Sequence, residues 1–165
     1  MDFVLGIDPG ASGALALYDV TNGRVLKLWD MPNTSMILTT GKKTNRVDIP
    51  ALIKIFEFVE DMAQEMEATL YVHIEKVQAF SKQSAPAAFN FGAAATVPQV
   101  LAVAFGYPPV MIPPQTWKKQ IGLQASAKDD ARLLVLRLFP NLKDALKRKL
   151  DVDRADAILI AMYKP

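Results

Sequence analysis

The sequence predicts an α/β fold built around a mixed β-sheet. Short β-branched and apolar runs joined by tight turns open the chain, and later strand-length runs alternate with segments of helical period. Hydrophobic residues make up 51% of the chain and charged residues 22%, which is enough apolar side chain for a packed core. A length of 165 residues fits one domain, so we expect a single domain over residues 1–165.

The first half of the chain predicts three strands, a loop and a helix. The strands are joined by turn signals such as Pro9-Gly10, so they should form an antiparallel meander. The segment that follows has no clear period, carries Lys42, Lys43 and Arg46, and is predicted to be a mobile loop. The predicted bounds are 2–8, 12–20 and 24–31 for the strands, 32–47 for the loop, and Asp48 or Ile49 for the helix start.

The second half continues the alternation. A helix between predicted strands four and five makes a parallel crossover, and strand four should lie beside strand one, whose other neighbour is set by the hairpin. Pro98 predicts a kink or break in the next helix, and because Pro, Gly or charge interrupts each long apolar run, no membrane span is expected. The predicted elements are strands 70–75 and 109–112, helices 87–105 and 116–120, a helix capped at Ser126–Asp129 and ended by Pro140, and a final helix over 152–163.

Composition excludes several kinds of site. Without cysteine there is no disulfide framework, zinc knuckle or thiol nucleophile, and with a single histidine any metal site must use oxygen ligands. The N-terminus opens with an acid before its apolar run and does not resemble a signal peptide, so we expect a cytoplasmic protein. The chain has no P-loop lysine and no GxGxxG motif.

Charge is distributed unevenly along the chain. Residues 1–75 carry six basic and eleven acidic residues, whereas residues 76–165 carry thirteen basic and six acidic residues. The basic second half favours a polyanionic partner, although a solvated basic surface would have the same composition.

Two acidic residues end strands that should be neighbours. Asp8 precedes the Pro9-Gly10 turn, and Glu75 ends predicted strand four. Each also has a structural interpretation, Asp8 as a cap of the turn and Glu75 as an ion-pair partner of Lys76. Together they favour a site, because open α/β sheets bind ligands at the carboxyl ends of their strands.

Asp153 and Asp156 lie three residues apart in the final helix and therefore share a face. Asp153 alone is typical of a first helical turn, but the alanines around Asp156 indicate close approach to another element. If the four acids converge, two charges about 4 Å apart repel by about 4 kcal/mol at a dielectric of roughly 20, so the cluster needs cations. Oxygen ligands select Mg²⁺ or Mn²⁺. His73 shares a strand with Glu75 and is interpreted as a core residue.

Four stretches, in chain order, resemble RuvC-type Holliday-junction resolvases. They are Gly6-Ile7-Asp8-Pro9-Gly10 with Ser12-Gly13-Ala14, Ile74-Glu75, Pro114-Gln115-Thr116-Trp117-Lys118-Lys119 with Gly122 and Ser126-Ala127-Lys128, and Asp153-Arg154-Ala155-Asp156-Ala157. The Trp-Lys-Lys segment, Lys128 to Arg132 and the LKRK run from Leu146 look closest to the phage and plant-chloroplast branch. The resemblance spans nearly the whole chain.

The resemblance implies an RNase H-like fold, with a five-stranded mixed sheet flanked by helices. It implies a homodimer that nicks four-way DNA junctions in pairs with two Mg²⁺ per active site, Mn²⁺ substituting, and without a membrane or small-molecule cofactor. The implied catalytic residues and metal ligands are Asp8, Glu75, Asp153 and Asp156, and the candidate DNA contacts are Lys76, Phe80, Lys82, Lys118, Lys119 and Lys128. Gln78 stands where the bacterial enzymes have an aromatic residue, which leaves a junction-wedging role for Phe80 open.

Other functions compete with this interpretation. An RNase H-like nuclease for other branched DNA or for RNA/DNA substrates would use the same four acids. A non-catalytic junction-binding protein would not need all of them. An actin- or sugar-kinase-like ATP-binding domain has a similar first strand and hairpin, but that fold needs two such domains and 165 residues are too few. For the dimer, the small residues 92–95 give helix 87–105 a thin face suited to an interface.

Overall fold

The computed structural model describes residues 1–37, 41, 43–78, 83–124, 127 and 129–164. Its strands are β1 (Asp2–Asp8), β2 (Ala14–Asp19), β3 (Arg24–Asp30), β4 (Asn33–Ile37), β5 (Lys43–Val47), β6 (Thr69–Glu75) and β7 (Val110–Ile112). Its helices are α1 (Ile49–Glu65), α2 (Ala85–Ala104), α3 (Pro114–Gln120), α4 (Asp130–Leu138) and α5 (Val152–Ala161), and 3₁₀ turns at Pro140–Leu142 and Lys149–Asp151 lie between α4 and α5.

Five strands form one mixed sheet in the order β3-β2-β1-β6-β7. β1, β2 and β3 pair antiparallel, whereas β6 lies parallel to β1 and β7 lies parallel to β6. The predicted mixed sheet, and the predicted place of strand four beside strand one, are therefore confirmed. The meander departs from an even ladder at a register shift between Leu17 and Tyr18 of β2.

Helices cover both faces of this sheet, and side-chain size differs between the faces. Alternate residues of β2 enter two apolar clusters, Leu15 and Leu17 on the side of α1 and α2, Ala14 and Ala16 on the side of α4 and α5. Large side chains fill the first interface, while the small ones allow α5 to approach the sheet closely. This asymmetry sets the position of the acids carried by α5.

Segment 32–47, predicted to be a mobile loop, contains a β-hairpin instead. β4 and β5 pair antiparallel, starting from Asn33 opposite Val47. The Nδ2 of Asn33 donates to the carbonyl oxygen of Ala11 at 3.1 Å, which ties the base of the hairpin to the β1–β2 turn. The sequence prediction is wrong because β4 is exposed along its whole length, so the alternation that marks a half-buried strand is absent.

The predicted helix starts have different outcomes. α1 begins at Ile49, one of the two predicted starts, and Asp48 caps it through its Oδ1, which accepts from the backbone N–H of Ala51 at 3.1 Å. The predicted cap at Ser126 lies outside the described residues, and α4 begins at Asp130. α5 lies within the helix predicted for 152–163.

α2 continues through Pro98, so the break, one of the two predicted effects of this proline, is absent. With a mean hydropathy of 1.4 over a window that is 28% buried, it is the one helix in the described ranges long and apolar enough to cross a membrane. The expectation that no segment passes this test is therefore wrong. The match is weak evidence for a membrane span, because core helices of soluble proteins also pass.

Candidate active site

Asp8 and Glu75 lie side by side at one edge of the sheet. Asp8 is the last residue of β1 and Glu75 is the last residue of β6, and Ile7 and Ile74 just before them are paired in the parallel ladder. Both acids line a cavity of about 460 Å³, together with residues 9–13 of the β1–β2 turn. We call this cavity the acidic cavity.

α5 reaches the same edge because it packs unusually close to β1. A Cβ at Gly6 would overlap the backbone of Ala157 and Ala161, so only glycine fits there. On its other side α5 is held to β3 by Arg154, whose Nε and Nη2 donate to the carboxylate of Asp30 at 2.6 and 2.7 Å. The close approach predicted for this helix is confirmed.

The two acids of α5 consequently join the first two. Asp153 lines the 460 Å³ cavity with Asp8 and Glu75. Asp156 lines an adjoining cavity of about 210 Å³, to which Asp153 and Lys118 also contribute. Three separate elements, β1, β6 and α5, thus deliver four carboxylates to one region.

The electrostatics of this region centre on Asp8. Burial is the main cause that raises the pKa of Asp8 well above its usual range, and Glu75, Asp156 and Asp153 raise it further, against Lys118. Burial also raises the pKa of Glu75, against a hydrogen bond from Trp117 and the charge of Lys118. Concentrated negative charge of this kind favours protons or cations.

The donor chemistry fits a hard divalent cation, since the four side chains offer only oxygen and their repulsion is what such an ion would neutralise. The distances between these side chains, however, do not match those of a formed metal site. Among the residues that the structure describes, no three acidic or histidine side chains gather around one point closely enough to hold a metal ion. The acids share a cavity edge and an electrostatic field, without forming a compact coordination shell.

Trp117 of α3 orients Glu75. Its indole Nε1–H donates to Oε2 of Glu75 at 2.9 Å, and the side chain is only 1% exposed. The Nζ of Lys118 lies 5.1 Å from the centroid of the Trp117 ring. The sequence places Trp117 in a basic motif but assigns it no contact, because its partner is 42 residues away along the chain.

Trp117→Phe is expected to raise the pKa of Glu75, because the indole donor that stabilises the carboxylate is lost while burial remains. We expect the free energy of unfolding to fall by about 2 kcal/mol, the range for losing a hydrogen bond to a charged group. A carboxyl ¹³C NMR titration of Glu75 measures the first effect. Trp29→Phe, which does not touch Glu75, is the matched control, and an unchanged Glu75 titration in Trp117→Phe would contradict the proposed orienting role.

The other predicted residues have mixed placements. Lys118 lies at the acidic region, whereas Lys76 and Lys119 are exposed and line neither cavity described above. The predicted DNA contacts Phe80, Lys82 and Lys128 fall outside the described residues. His73 is buried, with its Nδ1 3.1 Å from the carbonyl oxygen of Ile160, and burial lowers its pKa. It packs between β6 and α5, in keeping with its interpretation as a core residue.

Two asparagines of the acidic cavity are not predicted by the sequence analysis. Asn45 of β5 and Asn90 of α2 line it together with the acids. Asn90 has a recognisable signal, a polar residue between Phe89 and Phe91 in an otherwise apolar helix. Asn45 has none, because the sequence around it has the pattern of a loop.

No family model matches the sequence, and neither does any curated protein. The fold matches that of T. thermophilus RuvC in complex with a Holliday junction substrate, with a TM-score of 0.63 and 23% identity over 98% of this chain and 92% of that chain. A second structure of Thermus thermophilus RuvC matches with a TM-score of 0.49 and 21% identity over 97% of this chain and 91% of that chain. From the first of these matches we conclude that the chain has a RuvC-like fold.

Proposed function

We propose that this protein is a magnesium-dependent endonuclease that resolves four-way DNA junctions by paired, symmetric nicks. The observation that carries the proposal is the meeting of Asp8, Glu75, Asp153 and Asp156 at one sheet edge. A protein of the same fold, T. thermophilus RuvC, is in complex with a Holliday junction substrate, which supports this choice of DNA. We assign the chain to the phage and plant-chloroplast branch of such enzymes, acting in the cytoplasm of a bacterial or phage-infected cell or in an organelle.

In this proposal the four acids hold two Mg²⁺ ions, for which Mn²⁺ would substitute, each ion bound through one or two carboxylates and completed by water and the DNA phosphate, so that no three acids need to meet at one point. Bound ions of this kind activate water and stabilise the charge that develops on a phosphodiester. Asp8 must ionise to take part, and because burial and the neighbouring acids raise its pKa, a bound cation that offsets those acids would favour its ionised form. Trp117 holds the Glu75 carboxylate in one orientation, and Lys118 reduces the net negative charge that a DNA strand meets.

The basic residues of the second half of the chain are proposed to bind backbone phosphates. The set comprises Lys76, Lys82, Lys118, Lys119 and Lys128, with Phe80 as a candidate for contact with the junction bases. Lys118→Ala and Lys119→Ala should each weaken junction binding and lower the slope of log affinity against log salt by roughly one unit. Fluorescence anisotropy across a salt series measures this, with exposed Lys54 of α1 mutated to Ala as the control. Slopes equal to that of the control in both variants would contradict the assignment.

A second copy of the chain is proposed to cover the outer side of α2. Val100 and Val103 are 59% and 61% exposed there, and the exposed Gly92 earlier in the helix allows close approach. A two-fold dimer matches a junction with two equivalent strands.

Sedimentation at micromolar concentration should therefore give twice the chain mass of 18.2 kDa. Val100→Asp should give the monomer mass, because a charge would be buried in the interface. Leu150→Asp, at an apolar residue 80% exposed but outside α2, is the control and should stay dimeric. A monomeric wild type bound to junction would contradict the dimer.

The proposed function is tested by incubating a labelled immobile four-way junction with the protein, with and without Mg²⁺. Linear duplex and an RNA/DNA hybrid run in parallel. Paired nicks in the junction that require Mg²⁺ support the proposal. Preferential cleavage of the hybrid or of other branched DNA indicates an RNase H-like nuclease of different specificity, and binding without cleavage in the presence of Mg²⁺ indicates a junction-binding protein.

A further inference from the structure

We infer that the β4–β5 hairpin is a nucleic-acid-binding surface, on which Lys43, Asn45 and Arg46 hold the strand that crosses the acidic cavity. The inference rests on the proposed function and adds to it a binding surface outside the basic segments discussed above. Its partner is a polyanionic DNA strand.

Position is the first argument. Asn45 of β5 lines the same cavity as Asp8, Glu75 and Asp153, so a strand placed against the acids also meets the hairpin. Lys43 lies two residues before Asn45 and therefore points from the same face of β5. The hydrogen bond from Asn33 to the β1–β2 turn fixes the hairpin base beside the cavity.

Continuity of the surface is the second argument. A further cavity of about 340 Å³ lies between the hairpin and α2, lined by Arg46 among other residues. It shares Asn45 and Asn90 with the acidic cavity, which in turn shares Asp153 with the cavity that contains Lys118. The three cavities therefore form a continuous row, with Arg46 at one end, the carboxylates in the middle and Lys118 at the other end.

Charge is the third argument. The chain from residue 31 to 47 contains no acidic residue, although residues 1–75 as a whole are acidic. Within the described parts of the chain, neither Lys43 nor Arg46 takes part in a salt bridge. A DNA strand must approach carboxylates that repel it, so basic side chains at both ends of the row of cavities are needed to hold it there.

The first test is junction binding in EDTA by Lys43→Ala and Arg46→Ala, with Lys54→Ala as the matched control. Each hairpin variant is expected to raise the dissociation constant about three- to tenfold at low salt and to lower the salt slope by roughly one unit. Hairpin variants that bind like Lys54→Ala would overturn the inference. A wild type that neither binds nor cleaves the junction would refute the proposed function itself, so the two failures can be told apart.

The second test uses the absence of cysteine from the native chain. Asn45→Cys, Arg46→Cys and the control Lys54→Cys are mixed with a junction that carries a disulfide-activated tether on a phosphate near the crossover. Cross-linking at positions 45 and 46 in excess of that at position 54 supports the inference. Equal cross-linking at all three positions, or none at 45 and 46, refutes it.

Discussion

Asp8→Asn is expected to lower the rate of junction cleavage by about 1,000-fold or more, because it removes a carboxylate from a group of side chains that act together. Junction binding in EDTA should be unchanged or tighter, since a negative charge leaves the path of the DNA. Asp2→Asn, at the exposed first residue of the same strand, is the matched control and should cleave normally. Substantial nicking by purified Asp8→Asn would remove Asp8 from the active site.

The same variant has an expected effect on stability. The pKa of Asp8 is raised by burial and by Glu75, so the folded protein takes up this proton at a higher pH than the unfolded chain, whose value is near the ordinary 3.8. The contribution of Asp8 to the free energy of unfolding therefore falls as pH rises through the window between these two values. Without divalent ions, Asp8→Asn should be more stable than wild type at neutral pH.

Thermal melts in EDTA from about pH 4 to about pH 8 measure this difference. The stability gained by Asp8→Asn over wild type should grow with pH, while Asp2→Asn should run parallel to wild type. Comparing variants is necessary because Asp19, Asp30 and Asp151 have pKa values lowered by basic or amide partners and give the opposite slope. A loss of stability in Asp8→Asn at neutral pH would show that Asp8 is structural.

Gly6→Ala is expected to lower the free energy of unfolding by about 3 kcal/mol, at the upper end of the range for overpacking a core. The new Cβ would overlap the carbonyl oxygen of Ala157 and the backbone of Ala161, so α5 would have to move away from β1. Asp153 and Asp156 would move with α5, and cleavage should fall even where the protein is still folded.

Gly92→Ala is the matched control for this substitution, and both are compared in the Val100→Asp background because Gly92 lies in the proposed dimer interface. No atom outside its own helix segment lies within 4 Å of a Cβ at that position of α2, so the change should stabilise the protein by about 0.5–1 kcal/mol. Urea unfolding of both variants gives the comparison. If Gly6→Ala unfolds at the wild-type midpoint, close packing at Gly6 does not set the position of α5.

Much of the architecture follows from local patterns along the chain. Apolar runs of strand length with turn signals between them predict the sheet, since burial and turn chemistry act over only a few residues. Asp8 and Glu75 are also visible in the local pattern, because each is a charged residue that directly follows a run of apolar residues. The spacing of Asp153 and Asp156 places them on one helix face without any knowledge of the tertiary structure.

Features that depend on exposure could not be recovered in this way. β4 has no buried face to impose alternation, so its sequence resembles a loop, and its antiparallel pairing with β5 is visible only in three dimensions. α2 continues through Pro98, which is itself buried in the fold. Tertiary packing can outweigh the one helical hydrogen bond that a proline removes, and composition alone does not reveal such packing.

Local pattern also leaves open which side chains meet across the fold. Lys118 and Lys119 are neighbours in the sequence, but the orientation of α3 places only Lys118 beside the acids. The bond from Trp117 to Glu75 joins residues 42 positions apart, and the packing of Gly6 against Ala157 joins β1 to the last helix. Such contacts are set by how helices pack on the sheet, which depends on the shapes of many side chains together, so the tertiary structure alone determines them.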